Sequence, residues 1–166
     1  MKFYSQYNQD KWLYENYFNN KEKGTFMEIG AYVGAGKSNN KFFEETQGWG
    51  GVCVEPSPTH FKLLEKNRNC ICEDVAISDT VGEVGFRDIS GWAKGLSGII
   101  DKYSQQHKNR ITNELRYPQN KGDEIIIVKT ELLSNILDKN GITEIDLCRI
   151  ETEGGEFGIV KSIDLD

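Results

Sequence analysis

Residues 25–36, Thr-Phe-Met-Glu-Ile-Gly-Ala-Tyr-Val-Gly-Ala-Gly, set the tightest limit on what this chain can fold into. A short apolar run carrying the acid Glu28 passes at once into a turn with Gly30, Gly34 and Gly36. Glycine admits left-handed backbone and lets a ligand approach the main chain closely. The spacing is not the Gly-x-Gly-x-x-Gly of dinucleotide-binding turns. Two readings stand: a ligand cradle, in which Glu28 accepts a hydrogen bond from an ammonium or hydroxyl, or a tight strand-to-helix turn with no ligand.

The segments around this turn alternate. Residues 8–18 read as a helix with Trp12, Leu13, Tyr17 and Phe18 on one side. The strand at 25–30 is followed by a helix that Ser38 can cap, carrying Phe42 and Phe43 and stopping at Gly48. Residues 51–55 form a second strand. Ser57-Pro58 starts a helix, serine as cap and proline in the first turn, with Phe61 and Leu64 facing the core. Residues 71–77 read as a third strand. Strand, helix, strand, helix, strand with short connections predicts a parallel sheet with right-handed crossovers. Residues 83–89 read as an added strand, and Ser90 to Gly98 as an irregular loop in which Trp92 forms either a lid or ordinary surface. Ile99, Tyr103, His107, Ile111 and Leu115 recur every four residues and predict a helix. A β-branched strand at 124–129 precedes a helix capped by Thr130, carrying Leu133, Ile136 and Leu137 and ending at Asn140-Gly141. A last strand spans 145–150 and a last helix starts within 155–163. The expected fold is α/β, one domain over residues 1–166, its mainly parallel sheet ordered third, second, first, fourth.

Composition narrows the function. The 166 residues suffice for one core, and a net charge of −6 disfavours phosphate backbones, so no nucleic-acid partner is expected. No apolar run reaches the roughly 18 residues of a membrane span, and the amino terminus has no signal-peptide core, so no membrane association and a cytoplasmic location are expected. Cys53 and Cys148 lie in apolar runs, and Cys70 and Cys72 form Cys-x-Cys. With two histidines in the chain, reduced thiols and no metal are the expectation.

Three groups of acids can carry chemistry. Glu55 ends the second strand about 20 residues after the glycine turn, where doubly wound folds place an acid on ribose hydroxyls. Asp74, near the end of the third strand, can accept from an adenine amine, or be a turn acid like Asp79. Glu151, Glu153 and Glu156 crowd the carboxyl end of the last strand, where open α/β sheets place their chemistry. Like charges raise one another's pKa, which suits a general base. Alternatively, Glu153 and Glu156 favour the positive start of the following helix. His107, between Tyr103 and Ile111, reads as packed or hydrogen-bonded.

Six ordered blocks resemble the FkbM-type methyltransferases. They are Ser5-Gln6 with Gln9-Asp10; Met27-Glu28-Ile29-Gly30-Ala31-Tyr32; Val54-Glu55-Pro56-Ser57-Pro58; Ala76-Ile77-Ser78-Asp79; Leu96-Ser97-Gly98-Ile99; and Thr152-Glu153-Gly154-Gly155-Glu156. The resemblance implies a Rossmann-like class I sheet, S-adenosylmethionine as cofactor, and methyl transfer to a hydroxyl of a sugar, glycan or other small metabolite. It implies that Glu28, Gly30 and Gly34 border the methionine end, that Glu55 holds the ribose, and that Asp74 with Ala76 borders the adenine; Tyr32, Ser38 and Pro56 complete the cofactor contacts. Glu151 is the expected base and Glu153 its substitute. The family pattern carries Asp where this chain has Val33 and Glu151, and an ångström of misplacement in a base can cost about 100-fold. Such methyltransferases add strands after the last helix seen here, so a C-terminally incomplete domain is expected, with self-association through the exposed edge of strand 145–150. The alternatives are a non-catalytic S-adenosylmethionine-binding module and a nicotinamide-binding oxidoreductase.

Overall fold

The computed structural model describes residues 1–163. In chain order its elements are α1 (Gln9–Asn16), β1 (Thr25–Ile29), α2 (Lys41–Gln47), β2 (Gly50–Val54), α3 (Pro58–Asn67), β3 (Ile71–Glu73), β4 (Ala76–Ile77), β5 (Gly82–Ser90), β6 (Gly98–Ile99), α4 (Gln105–Glu114), β7 (Gly122–Glu131), α5 (Leu133–Lys139), β8 (Leu147–Ile150) and α6 (Glu156–Lys161). They divide into two compact units. The first is Met1–Asp74 with Asp138–Ile150; the second is Val75–Leu137 with the residues from Glu151 onward.

The first unit is built on a four-stranded sheet in the order β3-β2-β1-β8, every pairing parallel. Phe26 to Ile29 are buried on both faces, as a strand between two parallel neighbours must be. Phe26, Phe42, Phe43, Trp49, Cys53 and Leu64 form its core, and Phe3, Leu13, Tyr14 and Phe18 pack against it. The amino-terminal face differs from expectation: Trp12 and Tyr17 are exposed, and Tyr14 with Phe3 takes the inner position. The helix is only eight residues long, so its inward side is set by aromatic contacts and not by a long apolar stripe. Asp10, fully buried, closes this segment by accepting from the amides of Tyr4 (2.6 Å), Ser5 (3.1 Å) and Lys11 (2.8 Å) and from the Ser5 hydroxyl (2.6 Å).

The second unit holds a mixed sheet in the order β4-β7-β5-β6, with β4 parallel to β7 and the long β5–β7 pair antiparallel. Ala76, Phe86, Ile99 and Val128 form one core cluster, and Ile89, Ala93, Leu96, Tyr103 and Ile111 another.

Three sequence expectations are corrected. Residues 71–77 are not one strand: β3 pairs with β2, whereas Ala76 and Ile77 pair with Thr130 and Glu131. The run breaks at Asp74, which is exposed. Ile99 to Leu115 is not one helix either. Ile99 pairs with Phe86, Ile100–Lys102 makes a single tight turn, and α4 begins only where the Ser104 side chain accepts from the His107 amide at 3.1 Å. Thr130 does not cap α5; it lies within β7 with its hydroxyl buried and unpartnered.

Candidate functional site

The glycine turn and Glu55 meet in the first unit. The amides of Gly30 and Ala31 both donate to the Val54 carbonyl at 3.0 Å, closing the turn over the end of β2. Gly30, Tyr32, Gly34 and Lys37 all have left-handed backbone, with φ of 77, 55, 64 and 68°. A side chain at Gly34 would strike Leu64 at 2.5 Å and Arg68 at 2.7 Å, so both its conformation and its packing require glycine. Tyr32 adopts this conformation without being glycine, at a cost of order 1–3 kcal/mol. That strain is offset by its amide, which donates to Glu55 Oε2 at 2.8 Å, and by its ring, edge-on to His60 at 4.4 Å. The Ser57 amide donates to Glu55 Oε1 at 2.9 Å. The carboxylate is thus held through both oxygens by backbone N–H groups. About four lone-pair sites belong to a carboxylate, so each oxygen keeps acceptor capacity. Pro56 is half-buried beside it, and Ser57 caps α3 as expected, accepting from the His60 amide at 3.3 Å.

Glu28 lies beneath the turn and is fully buried. Its Oε1 accepts from Arg149 Nη1 at 2.9 Å; its Oε2 accepts from Arg68 Nη1 at 2.8 Å and from the Ser38 hydroxyl at 2.9 Å. The Cys53 thiol donates to the same Oε2 at 3.8 Å. Ser38 also accepts from the Asn40 amide at 3.3 Å and the Lys41 amide at 3.1 Å, but it does not cap α2 as expected: Asn40 stands at the cap position, two residues later. Arg68 is shared with Glu44, whose other oxygen accepts the amides of Asn69 and Cys70. Sequence reasoning missed both arginines. A signal existed for Arg149, since a lone cation in an apolar strand that pairs with β1 calls for an anion opposite, and the register sets Glu28 directly across from it.

Asp74, at the end of the first unit, is exposed, and Ala76, at the start of the second, is buried in β4. Between Ile71 and Asp74 the buried acid is Glu73, which accepts from Lys139 Nζ at 2.7 Å and Asn140 Nδ2 at 3.0 Å. Burial pushes its carboxyl up, and Lys139 and Asn140 outweigh that and hold it below the usual range. Asp79 is exposed and paired with Lys102 at 3.2 Å.

The acids after β8 belong to the second unit and behave unlike one another. Glu156, in the first turn of α6, accepts from the amides of Thr152 (2.8 Å) and Gly154 (2.9 Å). These bonds lower its pKa against the opposing effect of burial, which corrects the expectation that crowding raises all three acids. Glu153, at φ 58°, is raised, by burial first and by Glu156 and Glu151 after it, with His107 and Arg110 opposing. Its Oε2 lies 3.2 Å from His107 Nδ1, and His107 Nε2 lies 3.2 Å from the Leu96 carbonyl. Both ring nitrogens thus face oxygens. The Tyr103 ring stacks on the imidazole at 4.6 Å. Glu151 is exposed. Trp92 is exposed, in a loop anchored by the Ala93 amide on Asn120.

Glu28 with Ser38, and Tyr32 with Glu55, are therefore brought into contact, and Gly30 and Gly34 shape the turn between them. Glu151 and Glu153 lie in the other unit. Among the described residues no group of three or more His, Cys, Asp or Glu side chains is arranged to hold a metal ion, and no helix is long and apolar enough to cross a membrane. A family model described as Methyltransferase FkbM domain matches residues 28–166. No curated protein and no solved structure matches the chain. With most of its length matched, the chain belongs to the FkbM methyltransferase domain family, which points to methyl transfer in general.

Proposed function

We propose that this methyltransferase takes its methyl group from S-adenosylmethionine and passes it to a hydroxyl of a sugar, glycan or other small metabolite. The observation that carries the reading is Glu55. Its carboxylate stands at the end of a parallel strand, beside a turn of left-handed residues, oriented through one lone pair on each oxygen by Tyr32 and Ser57. A vicinal diol needs such an acceptor pair, and charge-assisted bonds of this type are each worth about 1.5–3 kcal/mol. The acceptor pair therefore fits the ribose of a nucleoside.

Glu55, with Pro56 next to it, holds the ribose. Gly30, Tyr32, Gly34 and Ser38 border the methionine end. Glu28, enclosed by Arg68, Arg149 and Ser38, contributes there by fixing the turn. Asp74 and Ala76 border the adenine. When bound, the cofactor supplies a methyl group made electrophilic by its sulfonium. Glu151 receives the proton of the acceptor hydroxyl, with Glu153 as its substitute. Positioning the acceptor oxygen near 3 Å from the methyl carbon carries much of the rate. The domain is Rossmann-like in this reading, and the acidic chain works in the cytoplasm on a non-nucleic-acid substrate.

S-adenosylhomocysteine should raise the melting temperature, because it binds only the folded chain. Saturation at 100 times Kd contributes about 2.7 kcal/mol. The absence of a shift at millimolar ligand, in a chain that circular dichroism shows folded, would sink the cofactor assignment. A shift with NAD instead would favour an oxidoreductase. Binding without transfer to any member of a broad hydroxyl panel would favour a non-catalytic binding module.

A further inference from the structure

Three of the four cysteines converge on one side of the first unit's sheet. Cys53 in β2, Cys70 just before β3 and Cys72 within β3 all pack in or against the same core cluster. The Cys53 and Cys70 sulfurs are 3.5 Å apart, and the Cys72 thiol donates to the Cys70 carbonyl at 3.6 Å. Cys53 is fully buried and Cys70 half-buried, so of this pair a reagent from solvent meets Cys70 before Cys53. Arg68, two residues earlier, is buried in the same cluster. Glu44 accepts the Cys70 amide at 3.0 Å and fixes the backbone at that point.

We propose that Cys70 and Cys53 form a thiol–disulfide exchange site for a low-molecular-weight disulfide, Cys70 attacking and Cys53 resolving. The contacts with Cys53 and then Cys72, joined by the charge of Arg68, lower the Cys70 thiol, while the same contact with Cys70, burial and the Glu28 charge raise Cys53. The cluster thereby separates an attacking thiolate from a resolving thiol, and the thiolate is the nucleophilic form. The Cys70 thiolate attacks one sulfur of the reagent RSSR, giving Cys70–S–S–R and releasing RS⁻. That thiolate takes the proton of Cys53. The Cys53 sulfur then attacks the Cys70 sulfur and expels the second RS⁻, which takes up the proton that Cys70 had lost. Two protein thiols are oxidised to one disulfide and one RSSR is reduced to two RSH. The sulfurs need close only from 3.5 Å to about 2.05 Å. Oxidation also removes the Cys53 S–H that donates to the Oε2 of Glu28, so it reaches the carboxylate beside the glycine turn.

The test uses the reduced full chain with excess glutathione disulfide, thiol counting and peptide mass mapping. The count should fall from four to two, with a bridge between Cys53 and Cys70 that dithiothreitol reverses. Cys53→Ala should stop at a mixed disulfide on Cys70. Cys70→Ser should abolish the fast phase, with Cys148, exposed on β8 and apart from the cluster, slower than Cys70 by at least about tenfold despite its exposure. Circular dichroism shows that each variant is folded, and Cys148→Ser, away from the cluster, should react like the parent chain. A count that stays at four, first reaction at Cys148 or Cys72, or a bridge joining Cys70 to Cys72 would overturn the assignment.

Discussion

The two carboxylate groups of this chain, Glu28 with Glu55 in the first unit and Glu151 to Glu156 in the second, are built on opposite principles. Glu28 and Glu55 are buried, Glu28 among two arginines, the Ser38 hydroxyl and the Cys53 thiol, and Glu55 against two backbone amides with the His60 ring 3.9 Å away. Such carboxylates are fixed in place and serve geometry. The acids after β8 range from exposed Glu151 to amide-bound Glu156 and to Glu153, which shares its environment with His107. Burial raises the Glu153 carboxyl, whereas backbone amides lower that of Glu156. The same residue type thus meets a fixed set of partners in one unit and a varied one in the other, and the difference lies in what surrounds it.

The comparison breaks most visibly in stability. Glu28→Gln leaves Arg68 and Arg149 facing a neutral amide inside the fold, and breaking a buried pair this way costs about 3–5 kcal/mol. Glu151→Gln, at an exposed site, should stay within about 0.5 kcal/mol. Urea unfolding of both variants measures this, and equal stability would show that Glu28 is no keystone.

Ligand affinity sharpens the contrast next. Glu55→Ala should weaken S-adenosylhomocysteine binding by at least about tenfold, and Glu151→Gln should leave it within a few-fold. Methyl transfer by Glu151→Gln should fall by about 100-fold or more. If calorimetry finds binding lost in Glu151→Gln and kept in Glu55→Ala, the two roles are reversed.

The smallest effect is on titration. The Glu153 carboxyl should titrate above the ordinary value of about 4.3. A carboxyl whose pKa is raised by folding binds more protons folded than unfolded. Its contribution therefore falls as pH rises from the unfolded value to the folded one, and Glu153→Gln should flatten that fall. Because His107 opposes the rise, His107→Asn should move the Glu153 midpoint further up. Carbon-detected NMR follows the carboxyl directly, and a midpoint that drops in His107→Asn would refute the pairing.

Much of the first unit was legible because its signals are local. The strand carrying Glu28, the glycine turn, the Ser57 cap and the Gly48 stop each depend on a few neighbouring residues. Where two local signals competed, the chain could not arbitrate. Apolar residues continue through 71–77, yet Ala76 finds its partner at Thr130, far along the sequence. The four-residue spacing from Ile99 fits a helix, but Ile99 pairs with Phe86 and Ser104 supplies a better start. A strand ladder with a distant segment outweighs a helical turn that buries the same side chains less well.

What the sequence determined by itself is the set of chemical groups and the short-range geometry of the turn that presents them. Glu28, Glu55 and the left-handed Gly30 and Gly34 follow from strand ends and glycines, because backbone conformation is a property of a few residues, whereas the left-handed Tyr32 and Lys37 carry no such local mark. Only the tertiary structure decided which groups each acid meets. The arginines that close on Glu28 lie 40 and 121 residues away, the amide of Tyr32 reaches Glu55 across 23 residues, and Cys53 meets Cys70 across 17. A buried charge is governed by the few atoms within hydrogen-bond reach, and those atoms are gathered by packing, not by their order along the chain.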